Sequence, residues 1–174
     1  MIRTERLVLR QWQESDREPF AELNADAEVM RYFPSTLSVD QSDALVDRAS
    51  LHLAETGWGL WAVERDDVFL GFAGLAVPRF DAPFLPGVEI GWRFARHAWG
   101  QGYATEAARA ALAFAFDVLT LDEVLSFTAE HNDRSRAVMR RLGMRHVGDF
   151  EHPNIEERHP LRHHVLYRIE RLPS

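Results

Sequence analysis

Three groups of residues have types and spacing that can do chemistry. Gly100 and Gly102 flank Gln101 directly before an alanine-rich run, in WGQGYATEA (99–107). Glycine costs conformational entropy there, so the backbone itself must be what is needed. A strand, a glycine-rich turn and a helix start bring unpaired amides to the positive end of a helix dipole, which suits an anion such as a pyrophosphate. The second group is Glu89 in VEIGWRF (88–94), on the strand face it shares with Gly91 and Arg93. If partly desolvated, its carboxyl titrates high and accepts a proton; if paired with Arg93 or another arginine, it is only an ion pair. The third is Asn132 and Ser135 in AEHNDRSRAVMRRLGM (129–144). Asn132 stands where a helix cap belongs. Ser135 shares helical spacing with Val138, Met139 and Leu142, so its hydroxyl faces inward, toward a ligand or its own backbone.

The elements that must hold these groups follow from patterning. RLVLR (6–10) alternates as a strand, and Ser15 to Met30 reads as a helical region opened by Ser15-Asp16. After the loop 32–38, Asp40 to Glu55 carries an apolar helical stripe that Gly57 ends. GLWAVE (59–64) and VFLGFAGLAV (68–77), joined through Arg65-Asp66-Asp67, form a hairpin. A proline-rich loop (78–87) leads to the strand with Glu89. The helix from about Tyr103 to Leu119 is apolar nearly all round and packs across a sheet. VLSFTA (124–129), the short helix closed by Gly143, and two strands (145–151 and 164–170) complete the order β-α-α-β-β-β-α-β-α-β-β. The expectation is one domain over 1–174 of α/β (α+β) class, a mixed sheet of about seven strands with helices on both faces.

Composition excludes several chemistries. The 174 residues include no cysteine, so disulfides, zinc-thiolate sites and thiol nucleophiles are ruled out. All 20 basic residues are arginine, which removes the Walker lysine and Schiff-base chemistry. A formal charge of −7 disfavours a nonspecific nucleic-acid binder. No run approaches the roughly 20 apolar residues of a membrane span, and MIRTERLVLR is unlike a signal peptide, so a cytoplasmic, membrane-free protein is expected. His159, His163 and His164 near Glu156 and Glu157 fit a solvated polar loop better than a metal site, and none is expected.

Local pattern alone leaves the glycine loop open between a dinucleotide site, another anion site and a tight packing turn. The dinucleotide fingerprint wants a third glycine where Thr105 stands, and its acidic residue about 20 positions on is not clearly placed. The wider context narrows the choice. VEIGWRF, WGQGYATEA and AEHNDRSRAVMRRLGM together resemble the GNAT superfamily of N-acetyltransferases. With TERLVLRQWQESD (4–16), the chain looks like the branch that includes the ribosomal-protein N-terminal acetyltransferases.

That resemblance implies acetyl-CoA as co-substrate. Its pyrophosphate would lie on the amides of the loop formed by Trp99, Gly100, Gln101, Gly102, Tyr103, Ala104 and Thr105. It also implies that the fourth and fifth strands of a mostly antiparallel sheet splay apart. The pantetheine arm would pair there with backbone near Trp92 and Phe94 and reach the amide of Asn132. Glu89 would be the base and Ser135 the thiol-side proton donor, because Met139 stands where many relatives carry a tyrosine. Tyr32, Phe33 and Trp58 would line the acceptor pocket. The expected function is acetyl transfer to a primary amine, on a small molecule or a protein N-terminus, by a monomer or homodimer. A noncatalytic acyl-CoA-binding module is the alternative.

Overall fold

An eight-stranded sheet runs through residues 1–171, the part of the chain described by the structure, a computed structural model. In chain order its strands are β1 (Ile2–Arg3), β2 (Val8–Arg10), β3 (Leu60–Arg65), β4 (Val68–Ala76), β5 (Glu89–Phe94), β6 (Glu123–Ala129), β7 (Arg145–Glu151) and β8 (His163–Glu170). They lie in the order β1-β2-β3-β4-β5-β6-β8-β7, and only the β5–β6 junction is parallel. The expected count of about seven is one too few. Ile2–Arg3, paired with Leu9 and Val8, is too short for alternation to reveal.

Four helices cover the sheet: α1 (Arg17–Ala25), α2 (Val39–Thr56), α3 (Tyr103–Asp117) and α4 (Asp133–Arg141). α1 is shorter than the expected region Ser15 to Met30, for identifiable reasons at both ends. A 3₁₀ turn, Glu14–Asp16, precedes it, and Asp16 turns its carboxylate back onto the Gln13 amide and Arg10. At the other end Asp26 is extended, and its carboxylate holds Arg96 at 2.6 Å. α2 opens with a reciprocal Ser38–Gln41 capping box and closes at Gly57, whose φ of +78° suits glycine.

Facing residues assign the helices to sides. Trp61 of β3 meets Phe114 of α3, and Trp61, Ala73 and Trp92 are register partners across β3, β4 and β5. On the other face Phe72 meets Phe20 of α1, and its partners are Ala62 and Arg93. α3 comes close to the sheet because Ala107, Ala108, Ala111 and Ala115, all without exposed surface, carry no bulk to hold it away. Beyond α1, the proline-rich loop sets Phe80 and Phe84 against Phe127, Phe150, His152 and His164. Burial lowers the His164 pKa to about 4, so this aromatic cluster holds a neutral imidazole.

Arg10, buried on β2, is clamped by two oxygens of Asp16 at 2.7 and 2.9 Å and also by Glu64. Removing one partner of a buried pair strands the other charge. Asp16→Ala should therefore lower stability by about 3 kcal/mol in urea unfolding. Glu64→Gln, which leaves the two-oxygen clamp intact, should cost less.

Candidate active site

β5 is paired with β4 along its whole length, from Phe94 opposite Gly71 to Glu89 opposite Ala76. With β6 it has one register position, Glu89 opposite Leu125. The Leu125 amide donates to the Val88 carbonyl at 2.9 Å. One step on, the Ser126 hydroxyl replaces the backbone and donates to the Ile90 carbonyl at 2.9 Å. Beyond that point the strands part, so the expected splay is present between β5 and β6. Backbone polar groups alternate sides along a strand, and those of Val88, Ile90, Trp92 and Phe94 point away from β4. The Phe94 carbonyl accepts the Trp99 indole N–H at 2.9 Å. Of the two residues expected to pair with a ligand arm, Trp92 is the one whose backbone opens freely into the gap.

The cradle lies at the wide end of that gap. After a 3₁₀ turn at Arg96–Ala98, Gly100 and Gly102 take φ values of +73° and +81°, in the left-handed region. Both glycines are therefore required by conformation as well as by size. Gly102 is the N-cap of α3 and supplies no capping side chain. The first helical bond runs from the Glu106 amide to the Gly102 carbonyl at 3.0 Å. The amides of Tyr103, Ala104 and Thr105 are left without an intrahelical acceptor, which suits an anion.

A clamp missed in the sequence holds this end of α3. Glu106 accepts from the Thr4 hydroxyl at 2.6 Å, from the Arg6 amide at 2.9 Å and from Arg6 Nε at 2.7 Å. Burial alone would raise its pKa; these partners outweigh burial and lower it. Arg6 also donates to the Gln101 carbonyl at 3.0 Å. Glu106 thus complements the dipole through Thr4 and Arg6 and leaves the helix-end amides free. Trp99 lies under Arg134, whose guanidinium is 4.1 Å from its ring, and Tyr103 is buried beside Arg6 and Arg65.

Glu89, Gly91 and Arg93 face α1. Glu89 is half-buried, and desolvation pushes its pKa up to about 7 with no charged partner contributing. The alternative ion pair with Arg93 is not formed: Arg93 Nη1 bonds Asn24 Oδ1 at 2.7 Å. A Cβ at Gly91 would meet nothing within 4 Å, so space lies open between the two charges. Phe33 covers Arg93 with its ring centroid 4.4 Å from the guanidinium carbon, and Tyr32 precedes it under Arg31. Trp58 stands at the end of α2, edge-on to His52 at 5.0 Å.

Asn132 caps α4 as expected, accepting the Ser135 amide at 3.3 Å, and its Nδ2 donates to Thr128 at 2.9 Å. Ser135 is half-buried and Met139 fully buried. His163 pairs with Glu151 and Asp149 rather than with Glu156 or Glu157. Among the described residues no cluster is arranged to hold a metal ion, and no helix is long and apolar enough to cross a membrane.

A parted strand pair with an uncapped helix start at its mouth suits an extended, phosphate-bearing ligand. The acetyltransferase (GNAT) domain family matches residues 6–145, and the chain belongs to that family. It is an N-acetyltransferase whose co-substrate is acetyl-CoA. It is 34% identical over 169 residues to the FsC-acetyl coenzyme A-N(2)-transacetylase of Aspergillus fumigatus, covering 90% of this chain and 72% of that one. A GNAT acetyltransferase from Bacillus anthracis superposes with a TM-score of 0.79 at 24% identity, covering 97% of each chain. Mycobacterium smegmatis RimJ, solved with CoA-disulfide, superposes at 0.74 with 22% identity, covering 94% of this chain and 81% of that one.

A Cβ at Gly102 would meet only Arg6 Nη2, at 3.5 Å, so steric exclusion is not the penalty there. The strained φ and the covering of the free amides are. Gly102→Val should weaken acetyl-CoA binding by about tenfold or more in calorimetry while far-UV circular dichroism stays that of a folded chain. Unchanged affinity would remove the cradle from the binding site.

Proposed function

We propose that the chain transfers acetyl from acetyl-CoA to a primary amine by direct attack within a ternary complex. The observation that carries this reading is the desolvated Glu89, a carboxyl titrating near neutrality where β5 and β6 begin to part. The chain has no cysteine, so no thiol-linked acetyl-enzyme can form. Holding both reactants in one cleft then supplies much of the acceleration.

In this reading the pyrophosphate rests on the amides from about Gly100 to Thr105, and the pantetheine arm pairs with Trp92 across the gap. Asn132 reaches the arm by giving up Thr128. The amine nitrogen attacks the thioester carbonyl and its proton passes to Glu89, directly or through water. The C–S bond then breaks, and the Ser135 hydroxyl protonates the departing thiolate or hydrogen-bonds its sulfur. Ser135 can recover a proton from solvent. Tyr32 and Phe33 close over the acceptor, and Trp58 lines its pocket. The acceptor is a small-molecule amine or a protein N-terminus, and the site of action is the cytoplasm.

The proton balance gives a pH signature. Glu89 must be ionised to act, so kcat/KM should rise with pH through about 7 with single-proton dependence. Glu89→Gln should lose that limb and most of the turnover while keeping acetyl-CoA affinity. An unaltered profile removes Glu89 as the base. Stability gives a second check with its own sign. A raised carboxyl pKa penalises the folded state once the unfolded group ionises, so the parent loses stability from about pH 4.5 upward through 7. Glu89→Gln should therefore melt above the parent at pH 8, with the difference shrinking below pH 4.5.

A further inference from the structure

Arg93 brings a positive charge to the face of β5 that it shares with Glu89, with no carboxylate paired to it among the described residues. The only influence on its titration is loss of hydration, which pulls its pKa down to about 10. Among the described residues its one side-chain hydrogen bond goes to a neutral group. Asn24 Oδ1 accepts from Nη1 at 2.7 Å, and Asn24 Nδ2 in turn donates to the Ser42 hydroxyl at 2.9 Å. Neither Asn24 nor Ser42 has exposed surface. This chain of buried neutral groups fixes the guanidinium and leaves its charge intact.

The rest of the guanidinium is left without a polar partner among the described residues. Arg93 Nε is buried with no acceptor, a costly state for a donor on a charged group. Phe72, from the core, and Phe33 both lie against it, with ring centroids at 5.4 and 4.4 Å. Phe33 keeps 40% of its surface exposed, so the cover over Arg93 is itself at the solvent boundary. Toward Glu89 the strand offers open space above Gly91. Two desolvated groups of opposite charge thus share one strand face, neither paired with the other.

We propose that the acceptor amine also bears a carboxylate, and that Arg93 binds this carboxylate while the amine faces Glu89. The proposal rests on the acetyl-transfer reading of the same site and adds the class of acceptor. The Nε–H and an outer N–H of a guanidinium form a planar fork that matches two carboxylate oxygens. Binding would satisfy the orphaned donor and neutralise the cation in one contact. Free amino acids and peptides with an acidic residue next to the amine both supply this chemistry. Polyamines do not, because their second cation would meet Arg93.

Matched acceptors test it. With the full chain and acetyl-CoA, free-CoA release is measured for amino acids against their amides, for peptides with glutamate against glutamine after the first residue, and for spermidine. The carboxylate members should lead by about tenfold or more in kcat/KM. The pair with the larger ratio identifies the source. Arg93→Gln should raise KM for the carboxylate members alone and erase the ratio, and Arg93→Lys should keep part of it. Equal use of both members by the parent, or an unchanged ratio in Arg93→Gln, overturns the proposal. If no amine is acetylated, acetyl transfer is what fails, and Arg93 is tested separately on the parent. Its Nε–H resonance, identified by its absence from the Arg93→Lys spectrum, should shift more than other arginine resonances when sodium N-acetylglycinate is added in the presence of CoA. A resonance that does not respond overturns the proposal by itself.

Discussion

One constraint organises the molecule: β5 can satisfy its backbone on both sides only as far as Ile90. On the β4 side pairing is complete. On the β6 side it fails after one register position, and side chains take over, Ser126 at the Ile90 carbonyl and Trp99 at the Phe94 carbonyl. Between those two substitutes the Trp92 backbone faces the gap without a partner strand. The parting of two neighbouring strands would expose their edges in most sheets. Here it occurs in the middle of an eight-stranded sheet, where α3 can cover one face and leave its own N-terminus at the mouth.

The charges follow from that geometry. Glu89 sits where pairing stops and Arg93 where the strands are already apart, so neither side chain is as well hydrated as on an ordinary surface. Elsewhere the fold pairs its desolvated charges with care, as in the Arg10–Asp16–Glu64 cluster. The contrast distinguishes two uses of burial. Around β2 opposite charges meet and hold elements together; on β5 they are kept apart by Gly91 and a neutral amide, and remain available. Stability given up in such a place is commonly the mark of a working site.

Much of this was legible in the sequence. Hydrophobic period located the hairpin, the central helix and the strand bearing Glu89, because each is long enough to show its periodicity and is bounded by turn residues. The glycine pair announced the loop, and the motif resemblance supplied its ligand. What could not be read was contact between distant segments. Ser15 looked like the start of a helix, but Arg10 recruits Asp16 and moves the start along the chain. Arg93 or another arginine was the alternative partner for Glu89, and only the fold brings Asn24 to Arg93. The signal for Arg93 was present in the alternation Glu89, Gly91, Arg93. Local pattern does not say whether two charges on one strand face meet or stand apart.

The Arg6–Glu106 clamp spans a separation of 100 residues, and Arg6 reaches across it to the Gln101 carbonyl as well. The candidate anion cradle is therefore a product of the two ends of a long loop, whose closure costs entropy before the contact stabilises anything. During synthesis Thr4 and Arg6 must wait for α3 to emerge before they can grip Glu106, whereas Val8–Arg10 find their partners earlier, on β3. The strands beyond Leu121 are not needed for that union. The contacts of Thr4 and Arg6 with Gln101 and Glu106 thus join residues that all precede β6, whereas the gap beside them cannot exist until β6 is made.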